Sequence, residues 1–354
     1  MSAPKLTIGL QGREVALAPG ETAAIAVDVA YRDAPDAVLN GIRHEIERGI
    51  PWRQAATEHL RTVNPWLLRI VTDPARTRWL DLHPPRQGSW ILDVGTGWGQ
   101  FAVPAAAFGA VVALEPTPAR LEIARAIARQ EGRDQQMFFV GAALGAVDFR
   151  QQRFDHIYCI GVLEWVPKFQ ADEDPIAAQQ IFLRHLHGLL AEGGECIIGI
   201  ENRFGLKYLL GARDDHTGLP HISTLDAAAA AQQYLAKTGQ PLRVVTHTMA
   251  EYQTLLAKAG FSHVEFFAAY PDYKVPQAIL SIADGAANRH CLHGPVFAEH
   301  DGSDGTPLNL QDGLASHYRS LAALGIAGQF APSFFIRARR QALGLMGSPG
   351  GRAG

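Results

Sequence analysis

The stretch WILDVGTGWGQF, Trp90 to Phe101, constrains the fold more than any other part of the chain. A short apolar run ends in an acid, Asp93, and glycines follow at alternate positions, Gly95, Gly97 and Gly99. The apolar run reads as a buried strand. The glycines let the main chain turn through conformations closed to other residues and come close to a ligand. Strand, glycine-rich turn and helix in that order build ligand sites at the carboxyl ends of the strands in open α/β sheets.

The segments that follow keep this rhythm. AVVALE, MFFV, HIYCIGV and ECIIGIE read as further strands, and residues 99–108, PARLEIARAIARQE and DPIAAQQIFLRHLHGLL read as the helices between them. Apolar strands alternating with helices imply a parallel sheet covered on both faces. FSHVEFFAAY, QAILSI and SFFIRAR are later strands. TMAEYQTLLAKAG is a helix that starts on Thr248 as its N-cap and stops at Gly260.

Residues 1–87 form a β-rich start and a helical cap, 88–340 the main domain with insertions at 202–247 and 271–330, and 341–354 a disordered tail. The insertions and the cap are expected to exclude water from the site, with Trp52, Trp66 and Trp79 packing the cap on the core or, alternatively, lining the acceptor site for stacking on a sugar or ring.

Composition limits the partners. The 354 residues are 47% hydrophobic and 19% charged, with a net charge of −3, so a large core is available and no basic stripe is offered to nucleic acid. Cys159, Cys196 and Cys291 form no C-x-x-C pair, which argues against a disulfide framework or a thiolate zinc site. His185 and His187, two apart on a helix, do not share a face, and no metal site is expected. No signal peptide or membrane-length apolar run is evident, so the expectation is a cytoplasmic protein.

The loop is not the dinucleotide pattern, because Gln100 stands where its third glycine belongs, and no Gly-Lys-Ser/Thr follows to make a P-loop. D-x-G-x-G-x-G resembles instead the first motif of class I S-adenosylmethionine-dependent methyltransferases. Glu115 stands 20 residues beyond Gly95 at the end of the next strand, where a carboxylate accepts hydrogen bonds from ribose hydroxyls. FDHIYCIGVLEWVPK, LRHLHGLLAEGGECIIGIEN, MAEYQTLLAKAGF and SFFIRAR resemble later segments of the same family in the same order.

The resemblance implies a Rossmann-like sheet of seven mostly parallel strands with helices on both faces, and S-adenosyl-L-methionine as cofactor. It places cofactor contacts at Asp93, Gly95, Thr96, Gly97, Gly99, Glu115, Pro116, Ala142, Ala143, Gly161 and Glu164. Two departures stand out: Trp165 replaces the usual His after Val-Leu-Glu, and Ala142 and Ala143 stand where an acid often meets the adenine, a contact left to backbone atoms or to Asp148.

Residues 200–218, 270–281 and 330–339 resemble a bacterial subgroup associated with surface-polysaccharide and glycosyltransferase genes. That resemblance bears on family membership more than on substrate; the acceptor is expected to be a small molecule or a saccharide, methylated on O or N. Substrate contacts are expected from Asn202, Arg203, Lys207, Tyr208, Tyr270, Tyr273 and Lys274, and base catalysis from His216, with His221, Asp214 and Asp215 behind it. Neither nucleic acid nor membrane insertion is expected, and a homodimer is compatible with the reading. The competing readings are an NAD- or nucleotide-sugar-dependent oxidoreductase and a non-catalytic scaffold that keeps the cofactor fold.

Overall fold

The computed structural model describes residues 4–25, 33–170, 173–295, 297–308 and 311–341. Strands are β1 (Leu6–Leu10), β2 (Arg13–Leu17), β3 (Thr22–Ala24), β4 (Ser89–Val94), β5 (Gly109–Leu114), β6 (Met137–Gly141), β7 (Val147–Asp148), β8 (Phe154–Ile160), β9 (Leu190–Glu201), β10 (His263–Tyr270), β11 (Ala278–Ser281) and β12 (Ser333–Arg339). Helices are α1 (Asp36–Glu47), α2 (Trp52–Leu60), α3 (Pro65–Thr72), α4 (Arg78–Leu82), α5 (Ala102–Ala105), α6 (Pro118–Gln130), α7 (Pro175–Leu189), α8 (Leu206–Leu209), α9 (Ala227–Thr238), α10 (Met249–Ala259), α11 (Ala286–His293) and α12 (Gln311–Ala323).

The central sheet runs β11-β10-β12-β9-β8-β4-β5-β6-β3. Its middle seven strands are the expected ones: β6, β5, β4, β8 and β9 are parallel, and β12 lies antiparallel between β9 and β10. The sheet is longer than seven strands because β3 adds parallel to β6 and β11 adds antiparallel to β10. β1 and β2 form a hairpin that pairs with β7 outside this sheet.

Successive side chains of a strand point to opposite faces, and β4 shows what each face meets. Leu92 and Val94 join a core with α7, α10 and the β1–β2 hairpin, while Ile91 joins a core with α1, α2, α5 and α6. Burial on both faces explains the continuous apolar runs. Helix ends follow local chemistry. Asp174 caps α7 ahead of Pro175, Thr248 and Glu251 form a capping box on α10, and Gly260 ends that helix at φ 104°. The helix expected over 99–108 is a single turn, α5, with left-handed Gly99 before it and Pro104 within it.

The cap helices are joined to the core. Trp79 stacks on Phe335 at 5.2 Å, and the Trp52 indole N–H donates to Glu131 Oε1 at 2.7 Å. The boundary expected near residue 87 falls in the loop before β4, but both sides of it share one core. Apart from Gln341, the tail expected over 341–354 lies outside the described residues. Among the described residues, no helix is long and apolar enough to cross a membrane.

Candidate active site

At the carboxyl end of β4 the chain turns on Gly95, Gly97 and Gly99, with φ of 69°, 58° and 80°. Only glycine takes three such left-handed conformations in a short loop at no cost. The turn is tied to its neighbour strand, because the Gly95 and Thr96 N–H groups both donate to the Leu114 carbonyl. The Thr96 hydroxyl donates to Asp93 Oδ2 at 2.6 Å. Burial pushes the Asp93 carboxyl up to about 6 against the pull of that hydrogen bond and of Arg76.

Glu115 leaves the end of β5 and folds back on the loop. Its Oε2 accepts the Gly97 N–H and its Oε1 the Thr117 N–H, each at 2.9 Å. The Arg120 guanidinium lies 3.6 Å from Oε2 and 3.4 Å from Asp33. Each carboxylate oxygen keeps acceptor capacity for a further donor.

Movable side-chain tips rather than backbone cover this cradle. A Cβ on Gly95 would come within 2.6 Å of Val162 Cγ2, one on Gly97 within 2.8 Å of Arg120 Nη2, and one on Gly161 within 2.8 Å of the Tyr273 hydroxyl. Arg76, from the turn before α4, reaches in from the cap over the rings of Phe101 and Tyr273, and its Nε has no hydrogen-bond partner.

Beyond the cradle, the ends of β9 and the two insertions gather charge. Lys207 Nζ lies 3.2 Å from both oxygens of Asp215 and 3.8 Å from Asp272. Lys274 Nζ contacts Glu201 Oε1 and lies 3.3 Å from Asp215 and 3.5 Å from Asp272. Burial alone would raise Asp215, but the two ammonium groups outweigh it and hold the carboxyl well below its usual range. His216 stands among Glu201, Glu164 and Asp214 with its ring edge-on to Trp165 at 5.2 Å. Burial alone would lower its pKa, yet Glu201, Asp214 and Glu164 together lift it well above the usual value for histidine.

The structure separates the other expected site residues. Asn202 is fully buried and spent on the fold: its amide donates to the Gln329 and Ala331 carbonyls, and its oxygen accepts the Phe204 N–H. These bonds tie it to the segment leading into β12. Arg203 faces Glu251 at the start of α10. His221 is exposed at φ 63° beside Gly211, outside the buried cluster. Tyr208 is buried with Lys207 over its ring, and its hydroxyl is unpartnered. Tyr270 lines a separate cavity of about 20 Å³ with His290, Cys291, Phe297, Glu299 and Tyr318. Pro116 and Gly161 are half-buried beside the cradle, Ala142 is buried after β6, and Ala143 is exposed. Asp148 pairs with Gly9 of β1 and with Arg150, which places it in the small sheet rather than toward an adenine.

Sequence reasoning missed Arg76, Arg120 and Glu299. None carries a local motif; they are assembled with the site only by the packing of the cap, α6 and the second insertion.

The fold and loop make an α/β domain with a glycine-lined turn at the carboxyl end of its central strand. Residues 91–194 match the family model described as a methyltransferase domain. It is 31% identical over 139 residues to a ubiquinone biosynthesis O-methyltransferase of Thiobacillus denitrificans and 29% over 150 residues to one of Azotobacter vinelandii. Each match covers 39% of this chain, and the chain spans about half the length of these curated relatives, 55% in both cases. Among solved structures it is similar to magnesium protoporphyrin IX methyltransferase of Synechocystis, at 13% identity and a TM-score of 0.40, over 75% of this chain and 80% of that one.

Proposed function

We propose that the protein transfers a methyl group from S-adenosylmethionine to a hydroxyl of a small-molecule or saccharide acceptor. The observation that carries this reading is Glu115, held against Gly97 at the junction of two strand ends and beside three left-handed glycines. Main chain without side chains is open there to a ligand once the tips of Val162 and Arg120 move aside. The methyltransferase-domain match over the same residues supports it.

Bound S-adenosylmethionine supplies a methyl on a sulfonium, open to displacement in line with the carbon–sulfur bond. The chain's work is then mainly orientation, which can contribute roughly 7–11 kcal/mol in well-ordered systems. Glu115 takes the ribose hydroxyls with its remaining lone pairs. Asp93 meets the ammonium directly or through water, and Arg76 offers a cation to the carboxylate. Lys207, Asp215, His216, Tyr273 and Lys274 line the acceptor side.

Two further observations bear on the acceptor side. The relatives named above are O-methyltransferases, which favours an oxygen acceptor. The three segments that resemble the polysaccharide-associated subgroup converge on one place: Asp215 from 200–218, Lys274 from 270–281, and Ser333 from 330–339, whose hydroxyl receives the Tyr273 N–H.

Calorimetry with S-adenosylmethionine, its demethylated product and NAD tests the cofactor, and transfer of labelled methyl to sugar and small aromatic alcohols tests the acceptor. Binding of both sulfur ligands is expected; tight NAD binding without either would overturn the reading.

A further inference from the structure

Glu164 follows β8, Glu201 ends β9 and His216 lies in the first insertion, yet one ligand-type atom of each lies within 4.8 Å of the other two. The separations are informative. His216 Nε2 is 3.6 Å from Glu201 Oε2 and 3.9 Å from Glu164 Oε1, both too long for hydrogen bonds. Two donors about 2.1 Å from a shared metal ion, at angles of roughly 110–135°, are about 3.4–3.9 Å apart.

One oxygen of each glutamate is short of partners, and in Glu201 it is the one that faces His216 Nε2. Glu164 Oε2 and Glu201 Oε2 are buried without any hydrogen bond, and both residues are 1% exposed. Lys274 occupies only the other oxygen of Glu201. Asp214 Oδ1 stands 3.9 Å from His216 Nδ1, across the ring from the carboxylate pair, and accepts the His216 backbone N–H at 3.0 Å. Glu201, Asp215 and Asp272 surround the two ammonium groups of Lys207 and Lys274, while Glu164 and Asp214 stand beside His216.

We infer that Glu164, Glu201 and His216 form a divalent-cation site on the acceptor side of the domain. Two carboxylates and an imidazole suit Mn²⁺ or Zn²⁺, with the remaining positions open to water or an acceptor. The site stands on side-chain geometry alone; its role in transfer rests on the methyl-transfer reading. In that role the ion binds an acceptor hydroxyl and lowers its pKa, and the proton leaves to water. The oxygen then forms the new bond to the methyl carbon as the carbon–sulfur bond breaks, its electron pair staying on sulfur. This gives His216 a role other than the base expected from the sequence.

The test titrates Mn²⁺ into the full chain, stripped by a chelator, and follows the electron paramagnetic resonance signal of the free ion. One ion bound per chain is expected, displaced by Zn²⁺. His216→Ala and Glu164→Gln should each weaken binding tenfold or more, with folding checked by thermal melting. Asp148→Asn, in the small sheet, should leave it unchanged. An unaltered signal from the parent overturns the site, as does equal binding by the parent, His216→Ala and Glu164→Gln. S-adenosylmethionine calorimetry on the same samples keeps the two readings apart. Cofactor binding without Mn²⁺ binding sinks only the metal site, and Mn²⁺ binding without cofactor binding sinks only the methyl-transfer reading.

Discussion

Glu115 Oε2 accepts the N–H of Gly97 at 2.9 Å, so the end of β5 holds the loop after β4 in place. The same carboxylate takes the Thr117 N–H and is 1% exposed. Removing it would leave two N–H groups without acceptors, and each buried unmet donor costs about 1–3 kcal/mol. Glu115→Ala is therefore expected to lower the melting temperature as well as S-adenosylmethionine affinity by more than tenfold. Glu115→Gln, which keeps one acceptor oxygen, should lose less of both. Calorimetry and thermal melting on the two variants check the order.

Gly97 has φ 58°, and a Cβ there would meet Arg120 Nη2 at 2.8 Å. Gly97→Val is expected to remove measurable cofactor binding at a cost to stability of about 1–3 kcal/mol from the backbone alone. Cofactor binding by a folded Gly97→Val protein at the parent's affinity would place the ligand elsewhere.

Asn202 distinguishes a structural tie from a substrate contact. Both its amide donors end on carbonyls of the segment leading into β12. Asn202→Ala should cost about 1–3 kcal/mol in unfolding free energy, while the folded variant keeps the parent's KM for the acceptor. A raised KM with unchanged stability would support the role expected from the sequence.

Glu299 gives a pH prediction. Burial pushes its carboxyl up to about 7, against the Tyr318 hydroxyl bond and Lys207. A group whose folded value lies above its unfolded value binds more protons in the native state, so stability falls as pH rises. This contribution is whole below about 4.5 and is lost as pH passes through 7. Glu299→Gln cannot ionise, so its melting temperature should fall less than the parent's between about pH 5 and 8. Parallel curves would show that Glu299 is ionised throughout.

The parts readable in advance were those written in neighbouring residues. Asp93 and its three glycines, the acid 20 residues on, and the cap and stop of α10 at Thr248 and Gly260 each depend on chemistry within a few positions. The short α5 was misjudged because Pro104 and left-handed Gly99 outweigh apolar spacing. The bonds of Asn202 were not legible because its partners, Gln329 and Ala331, lie more than 120 residues away.

By itself, the sequence determined the alternating strands and helices, the glycine turn and the acid beside it, because hydrophobic period and backbone freedom act locally. The tertiary structure alone decided that β3 and β11 widen the sheet, that Arg76 enters from the cap, and that Glu164, Glu201 and His216 share one space. Those relationships depend on how distant segments pack, and no spacing along the chain encodes the distance between two side chains that meet only through a common core.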